Sequence, residues 1–480
     1  MSITGAMNAA ISGLRAAARG TEIVSTNISN ALTPSYGKRS LELSTLGYGA
    51  SGVNIDGINR QMNDSIVSDR RIANAAQQNS QVIVDFLRDF ESVTGIAGDA
   101  DGLSGHLGAF EESLIAAASR PDAVERLAQV VTDAQQLASS LSQASAQVQG
   151  MRSNADTQIA LEVSYLNMAL EQVEQLNIQI ATAQAKGGSS LASLDQRQAI
   201  LDEIGSIVPI NVVPRDNGAV AIYTEGGASL LDISAVTIGF EKQNTVTAYQ
   251  TLEANTLSGL TLNGQDVLRS TALGGGSLGG YFEVRDVYGV QAQAQLDALS
   301  RDLIERFSDP ALDTTRAAGD PGLFTDANAS FDPINEVGLS SRLTLNSAVD
   351  TATGGDVWKL RDGLGATTPG AVGDATLLND LRGALEESRM PASGSFGTGT
   401  LAAADLFSSF SGLLAVSRSG AEQNLSFSSA RLAELTQLQL SEGVDTDQEL
   451  QNLLILEQSY AANARVIQAA DAMLETVTRL

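Results

Sequence analysis

The chain has 480 residues, 43% hydrophobic but only 4% aromatic, so its cores must be built from Ala, Leu, Val and Ile, and a chain of this length divides into about three domains. Twenty-nine basic against 56 acidic residues leave a net charge of -27, which repels nucleic acid over most of the surface. No cysteine is present for disulfide or thiolate chemistry, no apolar run is long enough for membrane insertion, and no basic segment leads into an apolar core at the N-terminus, so no signal peptide is expected.

Ile3, Met7, Ala10, Leu14, Ala17, Thr21, Val24 and Ile28 alternate spacings of four and three, a heptad seam that predicts a helix ending before Pro34. Residues 35–46 read as extended. Gly47, Gly49 and Gly52 mark a turn into a short strand over 53–58. Helix resumes over 61–94, and a Gly/Asp-rich loop over 95–108 contains His106. The longest helix is predicted to start at Ser119, with Pro121 in its first turn and Asp122 completing the cap. It runs to 186, with a kink or boundary at Gly150, and Gly187-Gly188 stops it.

A helix over 194–208 precedes a change of period. Segments 210–213, 219–224 and 229–233 read as strands, with Asn217-Gly218 as a hairpin turn. The glycine-rich run 274–280 lacks the spacing of a dinucleotide-binding loop and reads as a flexible turn. Helix returns over 282–307. Residues 308–400 are mixed, with a strand expected at 339–345, a helix at 374–387 and a flexible stretch at 391–400. The C-terminal part is helical over 406–440, breaks at Gly443, and reopens with a capping box of Thr446 and Glu449.

The expected fold is mainly α with β insertions, elongated and multidomain. Amphipathic terminal helices form a coiled-coil-like bundle, and long helices lie in the middle. The boundaries read as an N-terminal helix and extended segment (1–60), a long helical domain (61–208), a β-rich insertion (209–280), a return helix with a mixed region (281–400) and C-terminal helices (401–480).

Catalytic signals are missing. The single histidine has no evident partners, and zinc-hydrolase, phosphate-loop and nucleophile-elbow motifs are absent. Residues 98–102, with Asp99 and Asp101, match only part of a calcium loop. No catalytic, cofactor or metal site is therefore expected. The candidate functional residues form a contact seam: Ile3, Met7, Leu14, Val24 and Ile28 at one end, and Leu450, Leu453, Tyr460, Ile467, Leu474 and Val477 at the other. The first 40 residues carry four basic groups and one acid (net +3). The last 50 carry three basic groups and eight acids (net -5), so the ends suit each other and neighbouring copies.

Ala9-Ala10-Ile11-Ser12-Gly13-Leu14-Arg15-Ala16, then Ser25-Thr26-Asn27-Ile28-Ser29-Asn30-Ala31-Leu32-Thr33-Pro34-Ser35-Tyr36, resembles the N-terminal signature of the bacterial flagellar axial proteins, which include rod, hook and hook-associated members. Gly443-Val444-Asp445-Thr446-Asp447-Gln448-Glu449 and Glu457-Gln458-Ser459-Tyr460-Ala461-Ala462-Asn463-Ala464-Arg465-Val466-Ile467 resemble the C-terminal signature of the hook-associated members. Leu194-Asp195-Gln196-Arg197 and Gly279-Gly280-Tyr281-Phe282-Glu283-Val284-Arg285-Asp286 resemble internal landmarks of the same group.

Gly37-Lys38-Arg39 departs from the Arg-Gln pair common there. The resemblance implies a secreted structural subunit at the junction between hook and filament, without enzymatic activity. It implies self-association in a ring or helical layer and contacts with the hook protein and a second junction protein. It also implies passage through the flagellar type III export apparatus, with an export chaperone on the C-terminal helix. Rival readings are another axial component, or a surface adhesin or enzyme with its active region in 209–400.

Overall fold

Ser2 opens α1 (Ile3–Ser29) by accepting a hydrogen bond from the Gly5 amide at 3.1 Å. The computed structural model describes residues 2–33, 35–46, 52–267 and 273–479. The expectations placed on Pro34, Gly47 and Gly49 lie outside them. An antiparallel hairpin follows, β1 (Lys38–Thr45) with β2 (Val53–Gln61), paired from Lys38 opposite Gln61 and bulged between Glu42 and Leu43. The second strand extends to Gln61, where the sequence pattern suggested helix.

Asn63 caps α2 (Asp64–Thr94), which ends at Gly95 in a positive-φ conformation. α3 (Leu103–Ser119) then precedes α4 (Val124–Ala185). Two expectations fail here. Ser119 ends α3 rather than capping the longest helix, and His106 lies in the first turn of α3 rather than in a loop. Leu103, Leu107, Phe110, Leu114 and Ala117 form a buried stripe spaced for a helix, which overrides the glycines around it. Arg126 then caps the end of α3 by donating to the Ala116 carbonyl and the Ser119 hydroxyl, both at 2.6 Å. α4 runs unbroken through Gly150, so the expected kink is absent. Its 62 residues span about 90 Å.

α5 (Leu191–Ile207) leads into two small antiparallel meanders. The first is β3 (Ile210–Pro214), β4 (Val220–Thr224) and β5 (Ser229–Leu231); the second is β6 (Ile238–Gly239), β7 (Thr261–Leu262) and β8 (Gln265–Asp266). Asn217 and Gly218 both have positive φ, as the hairpin signal requires.

The glycine-rich run is not a flexible turn: from Gly276 it forms α6 (Gly276–Glu283) and is buried. A Cβ on Gly280 would stand 2.9 Å from Val82 Cβ on α2, so the glycine lets two helices touch. A π-helical turn (Val284–Tyr288) joins α6 to α7 (Gly289–Ser308).

β9 (Phe324–Asp326) pairs with β10 (Leu343–Leu345). The strand expected from 339 begins only at Leu343, because Leu339–Arg342 is a 3-10 turn whose Ser340 amide and hydroxyl bond to buried Asp297. α8 (Lys359–Asp362) and α9 (Thr376–Glu386) follow. The irregular 391–400 stretch is closed at its base by Arg389 and Leu401, which exchange backbone hydrogen bonds.

α10 (Ala403–Glu442) lies antiparallel on α2 and reaches α11 (Thr446–Thr478). The cap of α11 is Asp445, whose carboxylate accepts from the Asp447 and Gln448 amides, rather than the Thr446–Glu449 box.

Two apolar cores result. One joins α2, α3, α4, α7, α9 and α10; the other joins the second half of α4 to α5, the meanders and α6.

Candidate assembly interface

α1 and α11 lie antiparallel in a repeating register. Asn27 meets Glu449, Gly20 meets Leu456 and Gly13 meets Asn463, seven residues apart on each helix. Heptad spacing keeps one face of each helix on its partner. The glycines set how closely the helices approach. A Cβ on Gly20 would lie 2.9 Å from a Leu456 methyl, and one on Gly13 would lie 2.6 Å from the Asn463 amide.

The predicted seam residues divide. Val24 is buried. Ile3, Met7, Leu14, Ile28, Leu453 and Ile467 are half-buried. Leu450, Tyr460, Leu474 and Val477 are exposed, at 51, 50, 38 and 60%. Leu454, Ile455 and Met473 are exposed beside them. The intramolecular contact is thus made by a mixed face of α1, with Ala10, Ala16, Ala17, Gly20, Ile23 and Asn27 also buried. Exposed apolar residues remain on α11 outside this contact.

Gly13, Gly20, Asn27, Glu449 and Asn463 were not picked out by apolar size, although all but Gly20 stand in the quoted signatures. The signal was the recurrence of small or polar residues at one heptad position.

At one end of the pair those signatures converge on a polar knot. The Asn27 side chain is fully buried. Its Nδ2 donates to the Arg39 carbonyl (2.9 Å) and Glu449 Oε2 (3.2 Å), and its Oδ1 accepts from the Tyr36 hydroxyl (2.7 Å) and the Arg39 amide (3.0 Å). Lys38 Nζ lies 3.4 Å from Glu449 Oε1, whose residue is only 2% exposed. Burial pushes the Tyr36 hydroxyl above its ordinary pKa, so it remains a donor. Arg39 stacks over the Tyr36 ring at 4.9 Å and reaches Asp195 at 2.7 Å.

The internal landmarks anchor the insertion. Arg197 donates to Asn177 Oδ1 and the Gly218 carbonyl, both at 2.8 Å. Burial lowers its pKa to about 10, which still leaves it charged at neutral pH. Arg285 is fully buried against Asp156 at 2.7 Å, and Asp156 also accepts from the Gln243 amide. Asn167 and Asn177 on α4 each pair with a strand residue, Ile238 and Val220, using the amide as both donor and acceptor. These groups pair with one another and with backbone, tying the insertion to α4. Among the described residues, no group of three or more acidic or histidine side chains is placed to hold a metal, and no helix is long and apolar enough to cross a membrane.

Residues 90–323 match the family model described as the flagellar hook-associated protein FlgK helical domain, and residues 441–480 match that of the flagellar basal body rod FlgEFG protein C-terminal region. The flagellar hook-associated protein 1 of Escherichia coli K12 is 24% identical over 99% of both chains, and that of Bacillus subtilis 168 is 21% identical over 94% of this chain and 93% of its own. The Salmonella typhimurium protein of the same name is 26% identical, but the match covers 51% of this chain and 46%, about half, of that relative. The flagellar hook junction protein FlgK from Burkholderia pseudomallei aligns over 54% of this chain and 46% of its own, with 21% identity and a TM-score of 0.45. The helical-domain match, the separate C-terminal match and two near full-length relatives agree: the chain is similar to the FlgK-type flagellar hook-associated proteins.

Proposed function

We propose that this chain is a structural subunit of the bacterial flagellum, placed at the junction where hook meets filament, and that it carries torque between them rather than performing catalysis. The observation that carries the reading is the α1/α11 pair. Its described residues belong to neither core, and Leu450, Tyr460, Leu474 and Val477 stay uncovered. Covering one large apolar side chain contributes about 1.5–3 kcal/mol, and a closed layer of copies repeats that gain at every subunit.

In this reading the seam associates copies in a ring or helical layer, with the hook protein on one side and a second junction protein on the other. The chain reaches its place through the flagellar type III export apparatus, and an export chaperone covers the exposed apolar residues of α11 beforehand. Deleting the gene and imaging the cells by electron microscopy tests the role. Hooks without filaments, flagellin in the medium and recovery on complementation support it. Intact flagella in the deletion strain refute it.

A further inference from the structure

The terminal helices and the hairpin form a module with unusually little attachment to the rest of the chain. Neither apolar core contains a described residue from 1–63 or 443–480. Among the described residues, α1, β1, β2 and α11 pack extensively on one another, and none packs along an element of the helical body. Two covalent crossings join the parts, at 61–64 and 442–446. They run side by side, with Asn63 Nδ2 donating to Glu442 Oε2 at 2.8 Å. Two adjacent strands of chain without a shared core describe a hinge axis.

One carboxylate spans the gap away from that axis. Asp195, near the start of α5, accepts from Arg39 Nη2 at 2.7 Å, from Arg60 Nε at 2.8 Å and from the Gly37 amide at 3.4 Å. Arg39 and Arg60 stand opposite one another on the paired strands, so a single body residue grips both strands. Gly37 is required for the grip: a Cβ there would come within 2.6 Å of Arg60, displacing the guanidinium that reaches Asp195. Beside this contact, Ile23 and Ile58 of the module face Leu191 and Ala192 of the body across an open cleft rather than a closed core.

We propose that Asp195 is the latch of this joint: a positioning residue that fixes the angle between the α1/α11 module and the helical body, and whose release lets the module swing about the two crossings. The joint is a property of the isolated chain. Its use, letting copies in one layer meet neighbours of different geometry, rests on the junction reading above.

The absence of cysteine makes the test direct. Spin labels on cysteines introduced at Glu112 in α3 and Ala469 in α11, both exposed, report the distance between body and module in the full chain. The parent should give one narrow distance distribution. Asp195→Ala and the isosteric Asp195→Asn should lose the narrow peak, with helicity by circular dichroism unchanged, and Asp195→Glu should restore it. Arg88→Ala, which removes an ion pair between α2 and α10 within the body, should leave it intact.

Parent-like distributions in both Asp195→Ala and Asp195→Asn would overturn the latch, as would equal broadening by Arg88→Ala. Because the measurement needs no assembly, a rigid joint in a strain that still builds junctions defeats only the latch. A swinging joint in a chain not needed for filament attachment defeats only the junction reading.

Discussion

Replacing Asn27 with Ala should open the α1/α11 module while leaving the helical body intact. Four hydrogen bonds end on that one side chain: to the Arg39 carbonyl and amide, to the Tyr36 hydroxyl and to Glu449. A typical intramolecular hydrogen bond contributes about 1 kcal/mol net, and a buried partner left unmade costs about 1–3 kcal/mol. Two of the stranded partners, the Tyr36 hydroxyl and Lys38-paired Glu449, can turn toward other groups. The Arg39 backbone cannot. The expected loss is about 4 kcal/mol, or roughly a thousandfold in an opening equilibrium.

A global melt would blur this loss, because module and body share no core and need not unfold together. Hydrogen exchange read peptide by peptide is the suitable assay. Amides of α1 from Gly20 to Ser29 and of α11 from Glu449 to Leu456 should lose protection by that factor, or entirely if the module is less stable than the loss. Amides of α4 should not change. Ser25→Ala, an exposed neighbour, should have no effect. If Asn27→Ala lowered protection of α1 by less than about threefold, the knot would be a consequence of the helix pairing and not a cause.

Glu162 supplies a pH test. Burial lifts its pKa to about 7, Ser277 donates to one oxygen, and the other has no hydrogen-bond partner. A carboxyl that holds its proton more tightly when folded stabilises the fold below about pH 4.5, and that contribution fades as pH rises toward 7. Thermal melts should therefore show Glu162→Gln gaining on the parent at pH 8, by on the order of 2 kcal/mol, with the two close at pH 4. An equal difference at both pH values would contradict the assignment.

Gly276→Ala should lower body stability by at least about 2 kcal/mol in chemical denaturation, because the residue has φ of +62° and its Cβ would stand 2.1 Å from the Ile207 carbonyl. A change within 0.5 kcal/mol or so, the range of ordinary surface substitutions, would mean the backbone there can relax. Tyr460→Asp should fold like the parent by circular dichroism, since half the residue faces solvent, yet fail to restore filament attachment in a deletion strain. Normal attachment would remove Tyr460 from the seam.

The helices were legible in the sequence wherever one apolar stripe met one partner. The seam from Ile3 to Ile28, which meets α11, is of this kind. The reading failed where a distant group decided the matter. Nothing local announces that Arg126 closes α3 from the next helix. Nor can Gly276–Gly280 be told from a loop until α2 and the Ile207 carbonyl occupy the space that side chains would need. The Leu339–Arg342 turn likewise depends on Asp297, some 40 residues away.

At the interface, the two helices were evident but their contact was only half so. Apolar size identifies residues that can be buried somewhere. It does not separate those spent within the chain, such as Val24, from those left open, such as Val477. The residues that fix the register, Gly13, Gly20 and Asn27, act through smallness and hydrogen bonding, which a hydrophobic stripe does not register.

The pairing of Asn27 with Glu449 joins positions 422 apart in the chain. Closing an unstructured loop of that length costs about 5 kcal/mol in chain entropy, too much for one helical contact of mostly small side chains to overcome early. Once α10 has zipped along α2, the ends emerge side by side at Asn63 and Glu442, and most of that cost has been met by the body. The order of folding follows. The insertion is templated by α4 residues that precede it in the chain, whereas the terminal pair closes last, when the final helix is present. The paired α1/α11 surface is thus completed only after the rest of the fold, so any contact that needs both helices is delayed until the final helix has docked.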